Sequence, residues 1–355
     1  MLSNMLKGAR IKQGLSLKAL SELTLIDVSL LSKYENGMRL PSEKHLGELA
    51  KALSHDYRTF RNKWLAEKVY EMLSEEDDFS SIVSDVEMIY QSASKGYNPG
   101  LSDNVQLSAL VEEVSEMQQR WQSTKPLHAV QLQRMKEHFH TSYTYESNRI
   151  EGNTLTLQET FLVVSHGITI GGKSMREHLE AINHAEAILL LEELVQQKTP
   201  LNRYVLLQLH GLILRNIDRD NAGIYRKVPV RISGSSHIPP EPWQLDALMD
   251  EYFEQYPQLR KQLHPVLLAA EMHERLVSIH PFIDGNGRTS RLVMNLVLLQ
   301  NGYTIANLKG DLNSRMAYYQ ALEAVRTENS KLPFYTLVLE AVRTSLQEHL
   351  ELSGG

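Results

Sequence analysis

Cysteine is absent from all 355 residues. That excludes a disulfide framework, thiolate metal sites such as zinc ribbons, and a thiol nucleophile. A reducing compartment is therefore permitted. Long apolar runs are also missing, so no segment reaches the roughly 20 residues that cross a bilayer, and the opening MLSNMLKGARIKQG lacks the apolar core of a secretory signal. The expectation is a cytoplasmic protein that does not engage a membrane. A basic excess is lacking too: the net charge of -6 argues against a protein that coats nucleic acid along its whole surface. What is present suffices for two or three domains, each burying its own core.

The charge is unevenly spread. Residues 1–55 hold eight Lys/Arg (Lys7, Arg10, Lys12, Lys18, Lys33, Arg39, Lys44, Lys51) against five Asp/Glu (Glu22, Asp27, Glu35, Glu43, Glu48), a balance of +3 that leaves -9 for the rest. Only this end is suited to phosphate backbones. Its punctuation predicts four short helices. Gly14 ends the first, Ser16 caps the second, Asp27 caps a third that stops at Gly37, and Pro41 and Ser42 open a fourth. Leu46, Leu49, Ala50 and Leu53 then fall at core-face spacing. The stretch SLKALSEL and, after it, VSLLSKYENGMRLPS resembles the XRE-type, repressor-like helix-turn-helix family. The resemblance implies that the third helix enters the major groove, with Val28, Ser29 and Lys33 toward base edges and Asn36 and Arg39 near phosphates. A small helical domain that binds protein is the alternative; the basic bias and the turn spacing favour DNA. A palindromic operator would call for a homodimer, which the sequence permits.

The expected organisation is a DNA-binding domain over 1–60, a helical connector and linker over 61–104, and a helical body over 105–355. The connector carries Phe60, Trp64, Val69 and Leu73 at helix-like intervals, an acidic bend SEEDDFSS, and the Gly/Ser/Asn/Pro-rich SASKGYNPGLSDN at 92–104. Beyond it NVQLSALVEEVSEMQQRW, LHAVQLQRMKEHFHTSYTYESN, REHLEAINHAEAILLLEELVQQ and NRYVLLQLHGLILRNI all show helical apolar spacing. One segment differs. YRKVPVRISGSSHIPP (225–240) has β-branched residues around a Ser/Gly turn and predicts a lone β-hairpin on a mainly α body.

The segment HPFIDGNGRTSR (280–291) is the richest in chemistry. A helix runs to Ile279 and is ended by Pro281, which sets His280 at its boundary. Asp284 follows, then Gly285, Asn286 and Gly287, small enough for backbone N–H groups to approach an anion. A new helix opens near Arg288 and aims its free amides into the same loop. Arg288 and Arg291, at i and i+3, share one side of its first turn. A base, a carboxylate suited to magnesium, an anion nest and two arginines are the equipment of phosphate transfer. The segment also matches the Fic family motif H-x-F-x-(D/E)-G-N-G-R-x-x-R at every specified position, and residues 105–345 are identified as a Fic domain by that resemblance.

The resemblance implies that His280 is the general base for a Ser, Thr or Tyr hydroxyl of a target protein, and that Asp284 holds Mg2+ on the phosphates of ATP. It assigns Gly285, Asn286, Gly287, Arg288, Thr289 and Arg291 to the nucleotide, with Tyr318 and Tyr319 bordering the base. It implies transfer of AMP with release of pyrophosphate, and makes the hairpin a flap along which a target strand pairs. Phe282 is assigned to packing. Upstream, SNRIEGNTL (147–155) resembles the inhibitory motif (S/T)-x-x-x-E-(G/N) of class II members, which implies that Glu151 pairs with Arg291 and denies it to the γ-phosphate. In some relatives the same glutamate supports removal of AMP, so a net de-AMPylase is one alternative. A DNA-binding transcription regulator whose Fic domain senses nucleotide or dimerises is another.

Two decoys are set aside. GITIGGKS (167–174) fits the P-loop pattern G-x-x-x-x-G-K-(S/T), yet Thr156 and Glu159 form a capping box that predicts a helix from 156 closed by Gly167. With no strands around it, Lys173 and Ser174 are not expected to hold nucleotide. HERLVSIH (273–280) lacks the His at i and i+4 of a zincin, because position 277 is Val. His184, His210 and His273 are expected to be structural.

Overall fold

The computed structural model describes residues 2–53, 55–73, 105–232 and 234–354. The chain divides into two units, 1–91 and 92–355. In the first, α1 (Leu2–Lys12), α2 (Leu17–Thr24), α3 (Val28–Glu35), α4 (Glu43–Ala52) and α5 (Tyr57–Leu73) pack together. Ser16, Asp27 and Ser42 cap α2, α3 and α4 through side-chain oxygens that accept from Ala19, Ser29 and His45 amides. Leu6, Leu20, Leu31, Leu46 and Leu49 form the core, closed by Phe60 and Trp64 of α5. The Trp64 indole donates to the Pro41 carbonyl at 2.8 Å.

One ion pair ties α1 to α3. Arg10 meets Glu35 in a two-pronged contact, Nε to Oε1 and Nη2 to Oε2, both at 2.7 Å, and its Nη1 donates to the Leu15 carbonyl at 2.8 Å. The Glu35 side chain is only 5% exposed, so neither charge can be orphaned cheaply.

In the second unit the order is α6 (Val105–Ser123), α7 (Ala129–Ile150), α8 (Leu157–His166), α9 (Met175–Gln196), α10 (Arg203–Ile213), a 3-10 turn (Pro242–Gln244), α11 (Leu245–Gln262), α12 (Pro265–Ile279), α13 (Asn286–Gln300), α14 (Leu312–Thr327) and α15 (Leu332–Ser353). Helix α13 is the axis: every residue from Arg288 to Leu298 is buried, and α12, α10, α9 and α7 pack around it. From Leu292 to Leu299 it is apolar but for Asn295, whereas its first turns carry Arg288, Thr289, Ser290 and Arg291 into the interior, where each polar group needs a partner.

Residues 167–174 connect two capped helices. Thr156 and Glu159 close the capping box of α8, Gly167 ends it at φ 65°, and Ser174 with Glu177 forms the box of α9. The Lys173 ammonium donates to the Thr154 carbonyl at 2.6 Å. The P-loop pattern is thus spent on helix caps.

The hairpin expected at 225–240 is not formed: the described residues there hold no strand. Pro229, Pro239 and Pro240 lack the amide that a ladder needs. One guanidinium takes the carbonyls at both ends instead: Arg226 donates from Nη1 to Val228 at 3.1 Å and from Nη2 to Pro240 at 2.6 Å. At the tip, Ser235 Oγ and the Ser236 amide donate to the Glu323 carboxylate at 2.7 and 3.2 Å. The segment is a strap gathered by its own Arg226 and anchored at its tip by Glu323. The acidic bend and the linker expected at 92–104 lie outside the described residues.

Replacing Glu35 by Ala strands the Arg10 charge and is expected to destabilise the first unit by about 2 kcal/mol. Amide hydrogen exchange of α1 and α3 in the full chain reads it; unchanged protection would show the pair to be idle.

Candidate active site in the loop between α12 and α13

Helix α12 ends at His280, which takes the left-handed conformation at φ 51° and ψ 57° before Pro281. For a residue with a side chain that costs about 1 kcal/mol, so the surroundings must hold it. Arg226, 2% exposed, donates from Nε to the His280 carbonyl at 2.8 Å, and its amide donates to the Pro281 carbonyl at 2.9 Å. The turn beyond is clamped by Asn286, whose Oδ1 accepts from the Phe282 amide at 3.0 Å while Nδ2 donates to the Phe282 carbonyl at 2.9 Å. Phe282 is fully buried and stacks on His210, ring centroids 3.6 Å apart. The His210 ring is itself bonded at both nitrogens: Nδ1 accepts from the Gly223 amide and Nε2 donates to the Asp284 carbonyl, each at 2.9 Å. Gly285 takes the left-handed conformation at φ 77°, which strains any residue with a side chain, and a Cβ there would press on Ile213 at 3.2 Å.

Two clusters of charge gather at this loop. In the first, Arg291 is 1% exposed; its Nε donates to Ser147 Oγ at 3.0 Å, and Nη2 donates to the Ser147 carbonyl at 2.9 Å and to Glu151 Oε1 at 2.6 Å. Glu151 caps the C-terminus of α7, where the helix dipole disfavours it, but it sits at the N-terminus of α13, where the dipole favours it. A Cβ on Gly287 would lie 2.3 Å from Glu151 Oε1, so the carboxylate occupies the space the missing side chain leaves. In the second, Asp284 Oδ1 accepts from the Gly285 amide at 2.5 Å and faces Arg288 at 3.4 Å. Burial pushes the Asp284 pKa up, but Arg288, the Gly285 amide and Arg176 together bring it below the ordinary carboxylate value. Arg288 also meets Glu180 at 3.4 Å.

Several buried donors beside the loop have no hydrogen-bond partner: Nε and Nη1 of Arg288, Nη1 of Arg291, and Oγ1 of Thr289. Arg288 Nη1 still faces Glu180 at 3.4 Å; buried donors of this kind beside a helix N-terminus are suited to an anion. Burial lowers the His280 pKa to about 4, helped by Arg226, His237 and Arg326 and opposed by a bond to the Val277 carbonyl. That bond, 3.3 Å from Nδ1, lies on an atom that can only accept, so Nδ1 carries the proton and Nε2 keeps a free lone pair.

Tyr318 is buried, with its hydroxyl 3.0 Å from His273 Nε2 and its ring 6.0 Å from the Arg291 guanidinium. Tyr319 is 44% exposed and donates to the Ile150 carbonyl at 3.2 Å, beside Glu151. In the first unit Val28, Ser29, Lys33, Asn36 and Arg39 are all exposed. Sequence reasoning set His210 aside as structural and did not single out Arg226 or Glu180. His210 had only apolar helical neighbours to judge by, and Arg226 lay in a segment read as a strand.

Residues 200–298 match the Fic/DOC family model and residues 6–54 match the helix-turn-helix model. The chain carries a Fic/DOC domain and a helix-turn-helix domain. Protein adenylyltransferase Fic of Drosophila grimshawi and that of Drosophila melanogaster are each 35% identical over 221 residues, 62% of this chain. The chain spans about 44% of the length of those relatives. A Fic domain-containing signaling protein of Bacteroides thetaiotaomicron superposes with a TM-score of 0.62 at 29% identity, covering 68% of this chain and 98% of that one. Fic-1 of C. elegans gives the same TM-score at 22% identity, covering 94% and 96%, and shares the fold. The Fic domain therefore includes the loop, α12 and α13, and the match also takes in His210 and Arg226.

Replacing His210 by Phe keeps a ring on Phe282 but removes both hydrogen bonds, and is expected to cost the Fic unit about 2 kcal/mol. Thermal denaturation checks this, and an unaltered midpoint would mean that stacking alone holds the loop.

Proposed function

We propose that the chain is a protein adenylyltransferase held in check by its own Glu151 and joined to a DNA-binding module. One observation carries the reading: the Glu151 carboxylate lies 2.6 Å from buried Arg291 and in the space above Gly287, beside donors of Arg288, Arg291 and Thr289 that make no hydrogen bond. An internal anion stands in a cradle suited to phosphate. The 35% identity to proteins named protein adenylyltransferase Fic supports AMP as the group transferred.

In the proposed reaction His280 Nε2 takes the proton of a Ser, Thr or Tyr hydroxyl on a target protein as its oxygen attacks the α-phosphorus of ATP. The bond from that phosphorus to the bridging oxygen breaks and pyrophosphate leaves. The amides of Asn286 and Gly287, with Arg288, Thr289 and Arg291, would face the phosphate charge, with Gly285, whose amide is held by Asp284 Oδ1, shaping the turn, and Tyr318 and Tyr319 would border the adenine. Asp284 offers a hard carboxylate oxygen, and no group of three or more His, Cys, Asp or Glu among the described residues forms a metal cage. Such a donor set fits Mg2+, which draws most of its ligands from phosphate and water. Bound there, the ion would neutralise phosphate charge. In the first unit Val28, Ser29 and Lys33 form the proposed base-reading face, and Asn36 and Arg39 its phosphate flank.

Replacing Glu151 by Gly is expected to raise self-labelling from α-labelled ATP with Mg2+ by about tenfold or more, because it restores Arg291 to the phosphates and a misplaced phosphate is costly. Adding His280→Ala should abolish the AMP mass increment. A Glu151→Gly protein of unchanged mass that binds DNA tightly would favour a transcription regulator instead.

A pH profile supplies a second check. A base with its pKa near 4 is unprotonated above that value and loses function only as pH falls through it. Labelling by the Glu151→Gly protein should therefore hold level from pH 8 to 5. An acid limb centred near 6.5, the ordinary histidine value, would overturn the lowered pKa and leave the role of His280 to the His280→Ala variant.

A further inference from the structure

Both oxygens of Asp284 already face N–H groups. Its Oδ1 is committed to the Gly285 amide and Arg288. The other oxygen, Oδ2, is capped by Nη2 of Arg176 at 2.6 Å, from the first turn of α9. Arg176 also reaches Glu180 from Nε at 3.2 Å, and Glu180 faces Arg288 at 3.4 Å. Two arginines and two carboxylates thus alternate in a closed ring, each charge touching two of the opposite sign. Glu180 is fixed from behind, because its Oε2 accepts from Asn153 Nδ2 at 3.0 Å, two residues past Glu151. Arg288 is 3% exposed and cannot leave, whereas the Arg176 side chain is 57% exposed.

We propose that Arg176 is the resident counter-ion of Asp284, displaced from Oδ2 by the divalent cation that accompanies the nucleotide. The inference rests on the metal assignment made for Asp284 above and adds the residue that competes for it. A guanidinium and a divalent cation drawn to one carboxylate oxygen repel each other, so each weakens the hold of the other. Arg176 can yield because its second partner, Glu180, stays within reach, so release breaks one contact and keeps the other. Until then the ring leaves neither the buried Arg288 nor Asp284 uncompensated. Cation entry is thereby tied to the nucleotide, whose phosphates supply the charge that Arg288 and Arg176 lose in Asp284.

The test measures Mn2+ binding to the full chain at a saturating, fixed concentration of a non-hydrolysable ATP analogue, with free Mn2+ read from its electron paramagnetic resonance signal. Arg176→Ala should lower the half-saturating Mn2+ concentration about threefold or more, the size expected for an exposed pair. Arg176→Lys, which keeps the charge, should stay within about twofold of wild type. Circular dichroism of both variants checks the fold, and Arg176→Gln serves if the Ala protein is misfolded. An unchanged or raised half-saturation in the neutral variants overturns the proposal while leaving the metal assignment intact. If Asp284→Asn takes up Mn2+ as wild type does, the assignment itself falls, and this inference with it.

Discussion

A buried guanidinium has to be matched by an anion. Arg291 is 1% exposed on the central helix of its unit, and an unpaired charge at that depth would cost several kcal/mol. Ser147 supplies two neutral acceptors, its hydroxyl and its carbonyl, which satisfy hydrogen bonds but not charge. The charge is met by Glu151. Whatever else enters the loop must either leave that pairing alone or replace it with a negative group of its own, and a phosphate is such a group. The proposed inhibition is the consequence of placing a necessary cation where a substrate anion also belongs.

The loop is rigid for reasons that lie mostly outside it. Within the twelve residues Asn286 bonds back to the Phe282 amide and carbonyl, and Asp284 Oδ1 accepts from the Gly285 amide and Arg288. The left-handed turn at His280 is held by Arg226, from the strap before α11, and the Asp284 carbonyl is held by His210, from α10. Arg226 also gathers the two ends of that strap. The conformation of the proposed base and the shape of the strap beside it therefore share one side chain. Preorganisation of this kind lets donors face a reacting group without moving first.

Legibility followed the range of the interaction. Helix ends were readable because a cap needs only neighbours three or four residues away: Ser16, Asp27, Ser42 and Thr156 all stand as N-caps in the structure. The Gly167 segment was readable for the same reason, since the capping box at Thr156 outweighed a nucleotide pattern. The segment 225–240 was misread because its β-branched residues spoke for strand pairing, while the groups that hold it are Arg226, Glu323 and the α12 terminus. No local pattern announces a carboxylate 88 residues away from the serine it accepts from. At the site, the segment 280–291 and the Ser147–Glu151 spacing were visible, but not the second rank: His210, Glu180 and Arg176 carry no spacing relation to the loop and meet it only through the packing of α9 and α10 on α13.

The manner in which Arg291 is held also bears on how inhibition could be relieved. Of its three hydrogen bonds two go to Ser147, which is 1% exposed within α7. The third goes to Glu151, whose side chain is 34% exposed at the end of the same helix, with Gly152 next to it at φ 95°. Withdrawing the carboxylate thus calls for a change in one cap residue and a flexible neighbour, not for any movement of α7 or α13. The guanidinium would remain in place on Ser147, already oriented, and need only a new counter-charge. In the proposed reaction an incoming phosphate would supply that charge as Glu151 leaves, so Arg291 would not be stranded alone in the core. A partner that bound residues 151–155 and drew them outward would act on the same element.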